Sequence, residues 1–253
     1  MKAAAFVPVR LSSSRLPSKA LLNLHGKPCI QHLIERIKQV ESLDLIVLCT
    51  TTNPSDDKLI DLCKKLKINY FRGDEKDVLE RYNKAARNFQ VSYIINIDGD
   101  DIFCDPSYIN KTLEELKSTD TDFIMWKNMP LGSTPIGMRA DALYKVCKLK
   151  DTSDTETGWA RFFTETGLLK IKYLTSENPK VSDSTIRLTL DYPEDFELFE
   201  RIDAELNKPF SIEDIVYLLK NNPEIRKIND NLNEIYMKNF EKKSAKIKMK
   251  EKI

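Results

Sequence analysis

Apolar runs with strand character recur along the chain at residues 4–9, 45–50, 93–97, 123–126, 169–174 and 185–190. Where such a run is continuously apolar, it predicts a strand buried on both faces. Between several of them the apolar positions take helical spacing, at 30–40, 56–66, 78–89 and 106–116. Such alternation predicts an α/β protein, with a mostly parallel central sheet and helices on both faces. Two helix starts are well marked. Asp105-Pro106 supplies an N-cap with proline at the first turn, and Ser211 to Asp214 forms a capping-box-like start. Past Ser211, Ile215, Val216, Leu218 and Leu219 share a helix face, which either caps the sheet or meets another subunit.

Composition narrows the class. With 253 residues, 41% hydrophobic and 31% charged, the chain can bury a substantial core. A formal net charge of +1 does not suggest nucleic-acid binding, but the charge is uneven. Residues 238–253 carry seven lysines and two glutamates, while the remainder holds 33 basic against 37 acidic residues. This C-terminal stretch reads as a solvated helix end, with an anionic surface as the alternative partner. Five cysteines without a C-x-x-C pair, and only two histidines, support neither a zinc site nor a disulfide framework. Reduced thiols and a cytoplasmic location are expected. No apolar run reaches the roughly 18 residues of a membrane span.

Chemistry concentrates at strand ends, where open α/β sheets bind ligands. The loop after the first strand reads "RLSSSRLPSK". Arg10, Arg15 and Lys19 supply fixed positive charge, and Ser12, Ser13 and Ser14 add hydroxyl and backbone N–H donors. Guanidinium forks, an ammonium group and amides are the groups that hold a phosphate chain. Neither G-x-x-x-x-G-K nor G-x-G-x-x-G is present, so this is not a Walker loop or a dinucleotide fingerprint. A plain solvated loop is the alternative. The second cluster, "INIDGDDIFCDP", ends a strand in Asp98, Gly99, Asp100 and Asp101. Clustered carboxylates repel one another, and oxygen-only ligands favour Mg²⁺ or Mn²⁺. Asp-Gly-Asp is also good turn chemistry in its own right. A third site, "RLTLDYPEDFELFERI", places Asp191 at an expected strand end before a helix, with Glu194 and Asp195 in its first turn for structural reasons.

Four stretches together resemble the nucleotide-sugar cytidylyltransferases: "VPVRLSSSRLPSKALLNLHGKPCIQHLIERI", "FRGDEKDVLERYNKAA", "INIDGDDIFCDP" and "IRLTLDYPEDFELFERI". The resemblance is nearest to the spore-coat polysaccharide branch and more distant to the 3-deoxy-manno-octulosonate and acylneuraminate cytidylyltransferases. It implies a Rossmann-like three-layer α/β/α nucleotidyltransferase fold over residues 1–210. Residues 127–183 would be an acceptor-binding or dimer subregion, and 211–253 a helical extension. The implied activity is transfer of CMP from CTP to a sugar or sugar-acid acceptor, with Mg²⁺, release of pyrophosphate and a homodimeric state.

By position, the resemblance implies that Arg10, Leu11, Ser12, Ser13, Arg15 and Lys19 cradle the nucleotide, with Lys19, Arg15 and Asp100 catalytic. Asp100 and Asp191 would hold the metal. Arg72 would lie near the cytosine, its alternative being a surface pair with Asp74 or Glu75. Asp98 would join the nucleotide site and is a candidate base. Asp77 and Arg81 would be pocket-wall residues, or would pair one helical turn apart. Trp159 and Arg161 are candidates to clamp the acceptor, although Trp159, Phe162 and Phe163 could instead pack a short helix onto the core. Two departures from the family pattern stand out: Asp101-Ile102-Phe103 where relatives often place a proline, and "GSTPIGMRADAL" in place of later acidic residues. Other readings are a sugar-1-phosphate nucleotidyltransferase using another nucleotide, disfavoured by the lack of glycine in the loop, and a nucleotide-binding protein without turnover.

Overall fold

The computed structural model describes residues 1–13, 15–244 and 246–250; Ser14 lies outside the described residues. In chain order the strands are β1 (Lys2–Pro8), β2 (Asn23–Leu24), β3 (Lys27–Pro28), β4 (Leu45–Thr51), β5 (Asn69–Gly73), β6 (Val91–Asn96), β7 (Phe123–Trp126), β8 (Ile136–Arg139) and β9 (Ile171–Leu174). The helices are α1 (Cys29–Ile37), α2 (Asp57–Leu66), α3 (Val78–Phe89), α4 (Pro106–Ser118), α5 (Ala140–Leu149), α6 (Arg161–Thr164), α7 (Pro193–Glu205), α8 (Ile212–Asn221), α9 (Pro223–Arg226) and α10 (Leu232–Lys243). Seven strands form one sheet in the order β5-β4-β1-β6-β8-β7-β9, and β2 and β3 make a small separate hairpin. Among the described strands of this sheet, only β8 runs against its neighbours, β6 and β7.

Strand β1 shows why the sheet is covered on both sides. Ala3, Ala5 and Val7 join one core cluster, while Ala4 and Phe6 join the other. That is the period-two alternation of a strand with two apolar faces. The first cluster draws on α1, α2, α4, α7 and α8, the second on α3, α5 and α6. The expected three-layer, mostly parallel architecture is therefore present. From β1 the chain proceeds outward through β4 to β5, then returns to the other side of β1 at β6. This reversal creates a crevice at the carboxyl ends of β1 and β6.

The extended run at 185–190, expected as a strand, stays out of the sheet. Arg187 lies in its middle with its guanidinium bound to carboxylates, so the run does not present an uninterrupted apolar face. Its backbone pairs instead with a loop and a strand end: Leu188 N–H donates to Leu131 O and Leu190 N–H to Asp100 O. Gly132 allows that approach. Its φ is +86°, and a Cβ there would sit 2.6 Å from Leu188 O. Ile212, Ile215, Val216 and Leu219 of α8 are buried in the first cluster, so this face caps the core. No described helix is long and apolar enough to cross a membrane.

Candidate active site

The crevice is built by bringing two strand ends unusually close. Gly99 N–H donates to Pro8 O at 3.0 Å, and a Cβ on Gly99 would lie 2.8 Å from both Pro8 O and Val9 Cβ. Glycine at this position lets the carboxylates after β6 face the basic loop after β1. The loop itself is anchored by Asp56, a buried residue. Its carboxylate accepts from Leu11 N–H at 2.9 Å and from the hydroxyls of Thr50 and Thr51 at 2.9 and 2.5 Å. The Leu11 amide is thus used to hold the loop.

Lys19 reaches across the crevice. Its Nζ donates to Asp100 Oδ2 at 2.5 Å and to Asp191 Oδ1 at 2.8 Å. Arg15 Nη2 donates to the same Asp191 Oδ1 at 2.5 Å, and its guanidinium lies 5.3 Å from the Tyr192 ring centre. Burial works to lower the Lys19 ammonium, but Asp100 and Asp191 outweigh it and hold the group above its ordinary value. Burial likewise works to raise Asp191, yet Lys19, Arg15 and Arg187 keep it below the usual carboxylate range. The sequence-predicted residues Arg15, Lys19, Asp100 and Asp191 therefore meet in one place.

Asp98, Asp100 and Asp101 each bring a carboxylate oxygen within 4.8 Å of the other two. Burial, with Asp100 beside it, pushes the Asp98 carboxyl up to about 6, while a 2.9 Å bond from Asn96 Nδ2 opposes the shift. Burial, then Asp100 and Asp98, push Asp101 well above its usual range. Three carboxylates this close, of which Asp100 is paired with Lys19, make an all-oxygen cluster that fits a hard divalent cation. Asp191 is joined to Asp100 through Lys19 and stands outside the three-carboxylate group. Its Oδ2 accepts from Arg187 Nη2 at 3.1 Å.

Arg10 is placed further out, donating to Glu75 Oε1 at 3.1 Å and paired with Glu156. Ser12 Oγ also donates to Glu75, and Ser13 Oγ accepts from Leu16 N–H. Arg72 pairs with neither Asp74 nor Glu75. Its nitrogens donate to Thr51 O, Asn53 O and Asp57 Oδ1 at 2.8, 2.7 and 2.6 Å, bracing the loop after β4. Asp77 does not pair with Arg81. It caps α3 by accepting from Glu80 N–H, and it holds Lys150 and the Thr155 hydroxyl. Arg81 donates to Asp74 O at 2.7 Å.

The clamp expected from Trp159 is corrected. Only 8% exposed, Trp159 packs edge-on against Tyr82, Phe123 and Phe163 at centroid distances of 5.9, 6.2 and 6.0 Å. The packing alternative describes it, because its indole and Phe162 and Phe163 cover the apolar face of the sheet. Arg161 lies on the surface, with its fork donating to Glu165 one turn on.

Sequence reasoning missed the support behind Asp191. Arg187, fully buried, donates to both oxygens of Asp195 at 2.9 and 3.1 Å as well as to Asp191. Asp195 also accepts from the backbone N–H of Asp191 and Tyr192. The i,i+4 spacing of Arg187, Asp191 and Asp195 carried the signal, although they do not share a helix. Tyr236 of α10, 4.8 Å from the Arg187 guanidinium and 6.0 Å from that of Arg15, had no such signal.

A family model described as cytidylyltransferase matches residues 4–228. An uncharacterized protein of Methanocaldococcus jannaschii is 34% identical over 241 residues, spanning 92% of this chain and 97% of its own. The spore coat polysaccharide biosynthesis protein SpsF of Bacillus subtilis is 25% identical over 226 residues, 86% of this chain and 94% of its own. Among solved structures, a cytidylyltransferase from Leptospira borgpetersenii superposes with a TM-score of 0.83 at 24% identity, over 89% of this chain and 97% of that one. A CMP:2-keto-3-deoxy-manno-octonic acid synthetase, solved with CTP, gives 0.63 at 18% identity, over 81% and 99%. These structures share the nucleotidyltransferase fold described above.

Proposed function

The chain belongs to the cytidylyltransferase family, and from that premise we propose that it transfers CMP from CTP to a sugar or sugar-acid acceptor, releasing pyrophosphate, for synthesis of a surface glycan. The observation that carries this reading is the meeting of Arg15 and Lys19 with Asp100 and Asp191 in one crevice. Cations aimed at a phosphate chain and carboxylates suited to a metal are the two halves of a nucleotidyl-transfer site.

In this mechanism Arg10, Ser12, Ser13, Arg15 and Lys19 bind the triphosphate, on a loop whose shape Leu11 fixes through Asp56. Arg72 serves the cytosine end by holding the neighbouring loop in place. Asp100 and Asp191 would hold Mg²⁺, which would offset charge on the α-phosphate. The acceptor oxygen attacks the α-phosphorus, the bond to the bridging oxygen of the β-phosphate breaks, and pyrophosphate leaves with that electron pair. Arg15 and Lys19 neutralise the charge that builds on it. Asp98, with its carboxyl near 6, takes the acceptor's proton. Arg187, with Lys19 and Arg15, keeps Asp191 ionised, and Asp195 holds its backbone N–H and the Arg187 guanidinium in place.

The test is nucleotide choice. Thermal shifts are read with CTP, UTP, GTP and ATP in the presence of Mg²⁺, and pyrophosphate release is assayed from each nucleotide with a panel of acidic and neutral sugars. Stabilisation and turnover with CTP are expected, and preference for another nucleotide overturns the reading.

A further inference from the structure

Residues 242–250 hold five lysines and no acidic residue. Past α10 this segment is extended and pinned to the fold beside the end of α5. Lys250 N–H donates to Leu149 O at 2.7 Å, and Asp151 N–H donates to Lys248 O at 2.8 Å. Extended chain alternates its side chains between two sides. Ile247 and Met249 pack against the second core cluster, so Lys246, Lys248 and Lys250 point away from it and are exposed.

Lys242 and Lys243, at the end of α10, are exposed as well. Lys84, Lys170 and Lys172 are each tied to a carboxylate, but none of these five lysines, nor Lys238, has an ion-pair partner among the described residues. Helix α10 itself carries three lysines against two glutamates, so the excess charge sits in the segment that follows. Ile235, Lys238 and Lys242 fall at i, i+3 and i+7, which puts an apolar side chain, 45% exposed, on one outer stripe with two of the lysines.

We propose that this segment, with the outer stripe of α10, docks the protein on an anionic lipid bilayer. Outside residues 238–253 the chain holds 33 basic against 37 acidic residues. An anionic surface therefore attracts this face and repels the bulk of the molecule, which orients the approach. From Lys227 onward the chain has no arginine. Lysine is a compact point charge without the planar fork that grips individual phosphates of a nucleic acid, and it suits a diffuse field of lipid headgroups. Ile235 adds an apolar contact for the headgroup boundary, which a duplex backbone does not offer. Because backbone bonds already hold three of the lysines on one side, docking orders little that is not ordered beforehand.

The full chain is sedimented with vesicles of phosphatidylcholine alone and with vesicles that also contain phosphatidylglycerol. Binding to the second kind and not to the first is expected, with release at high salt. The variant K246Q/K248Q/K250Q keeps Ile247 and Met249, so its thermal melt should match the wild type. Its affinity for the anionic vesicles should fall about fivefold per lysine, or about 100-fold in all. A second variant, K242Q/K243Q, leaves the bridged segment untouched and should lose about 25-fold. Equal sedimentation with both vesicle types, no sedimentation with either, or unchanged affinity in the variants overturns the inference. A DNA duplex that retains the protein against excess anionic vesicles overturns it in favour of a nucleic-acid partner.

Discussion

The two halves of the sheet solve different problems. On the side of β5, β4, β1 and β6, all strands are parallel, and the chemistry is carried largely by charged residues in the loops that follow β1 and β6. On the side of β8, β7 and β9, one strand is reversed, and a cavity beside it is walled by loops and by helices from the far end of the chain. A parallel strand end is a fixed address, so a ligand common to many acceptors is naturally held there. The second half has no such address. Its surface is assembled from remote segments, which suits a ligand that differs from one enzyme to another.

This contrast can be broken most sharply at Lys19. Lys19→Ala removes the ammonium shared by Asp100 and Asp191, and kcat should fall about 10²–10³-fold with circular dichroism unchanged. Wild-type turnover in the variant would detach the parallel half from catalysis. Next comes Trp159→Ala, which should cost about 3–5 kcal/mol in urea unfolding because the indole is enclosed by aromatic neighbours. A stable variant with a raised acceptor KM would return Trp159 to the binding surface. Arg72→Ala should destabilise by about 1–2 kcal/mol and raise the CTP KM, since three loop contacts are lost. If it abolished the preference for CTP over UTP at unchanged stability, direct contact with the base would replace the bracing role. The smallest effect is expected at Arg161→Ala, an exposed i,i+4 pair with Glu165, at under about 0.5 kcal/mol with unchanged kinetics.

The same division governs what the sequence discloses. The apolar runs of β1, β4 and β6 and the helical spacing of α1 to α4 are local patterns, and each is found close to where it is expected. Arg15, Lys19 and Asp100 are legible for the same reason, since a motif at a strand end needs only the strand to place it. The extended run at 185–190 shows the limit. Thr185, Arg187 and Thr189 alternate with Ile186, Leu188 and Leu190, as an edge strand would. The choice of loop and strand end over sheet depends on Gly132 and Asp100, more than fifty residues away. Trp159 and Tyr236 are hidden for a related reason. Whether an aromatic side chain faces a core or a ligand is settled by which distant elements cover it, and neither residue's neighbours in sequence carry that information.

The described part of the chain past Ser211 begins on one face of the sheet and reaches the other. Helix α8 is buried in the first core cluster, while Ile247 and Met249 rest against the second, where Lys250 N–H donates to Leu149 O and Asp151 N–H to Lys248 O. Between these moorings, α10 passes over the crevice with Leu232 as its one buried residue. A strap fastened at both ends can vary in its middle at little cost to folding, because the span contributes few buried contacts. The exposed positions of helix α10 can therefore accept point substitutions with little effect on the fold.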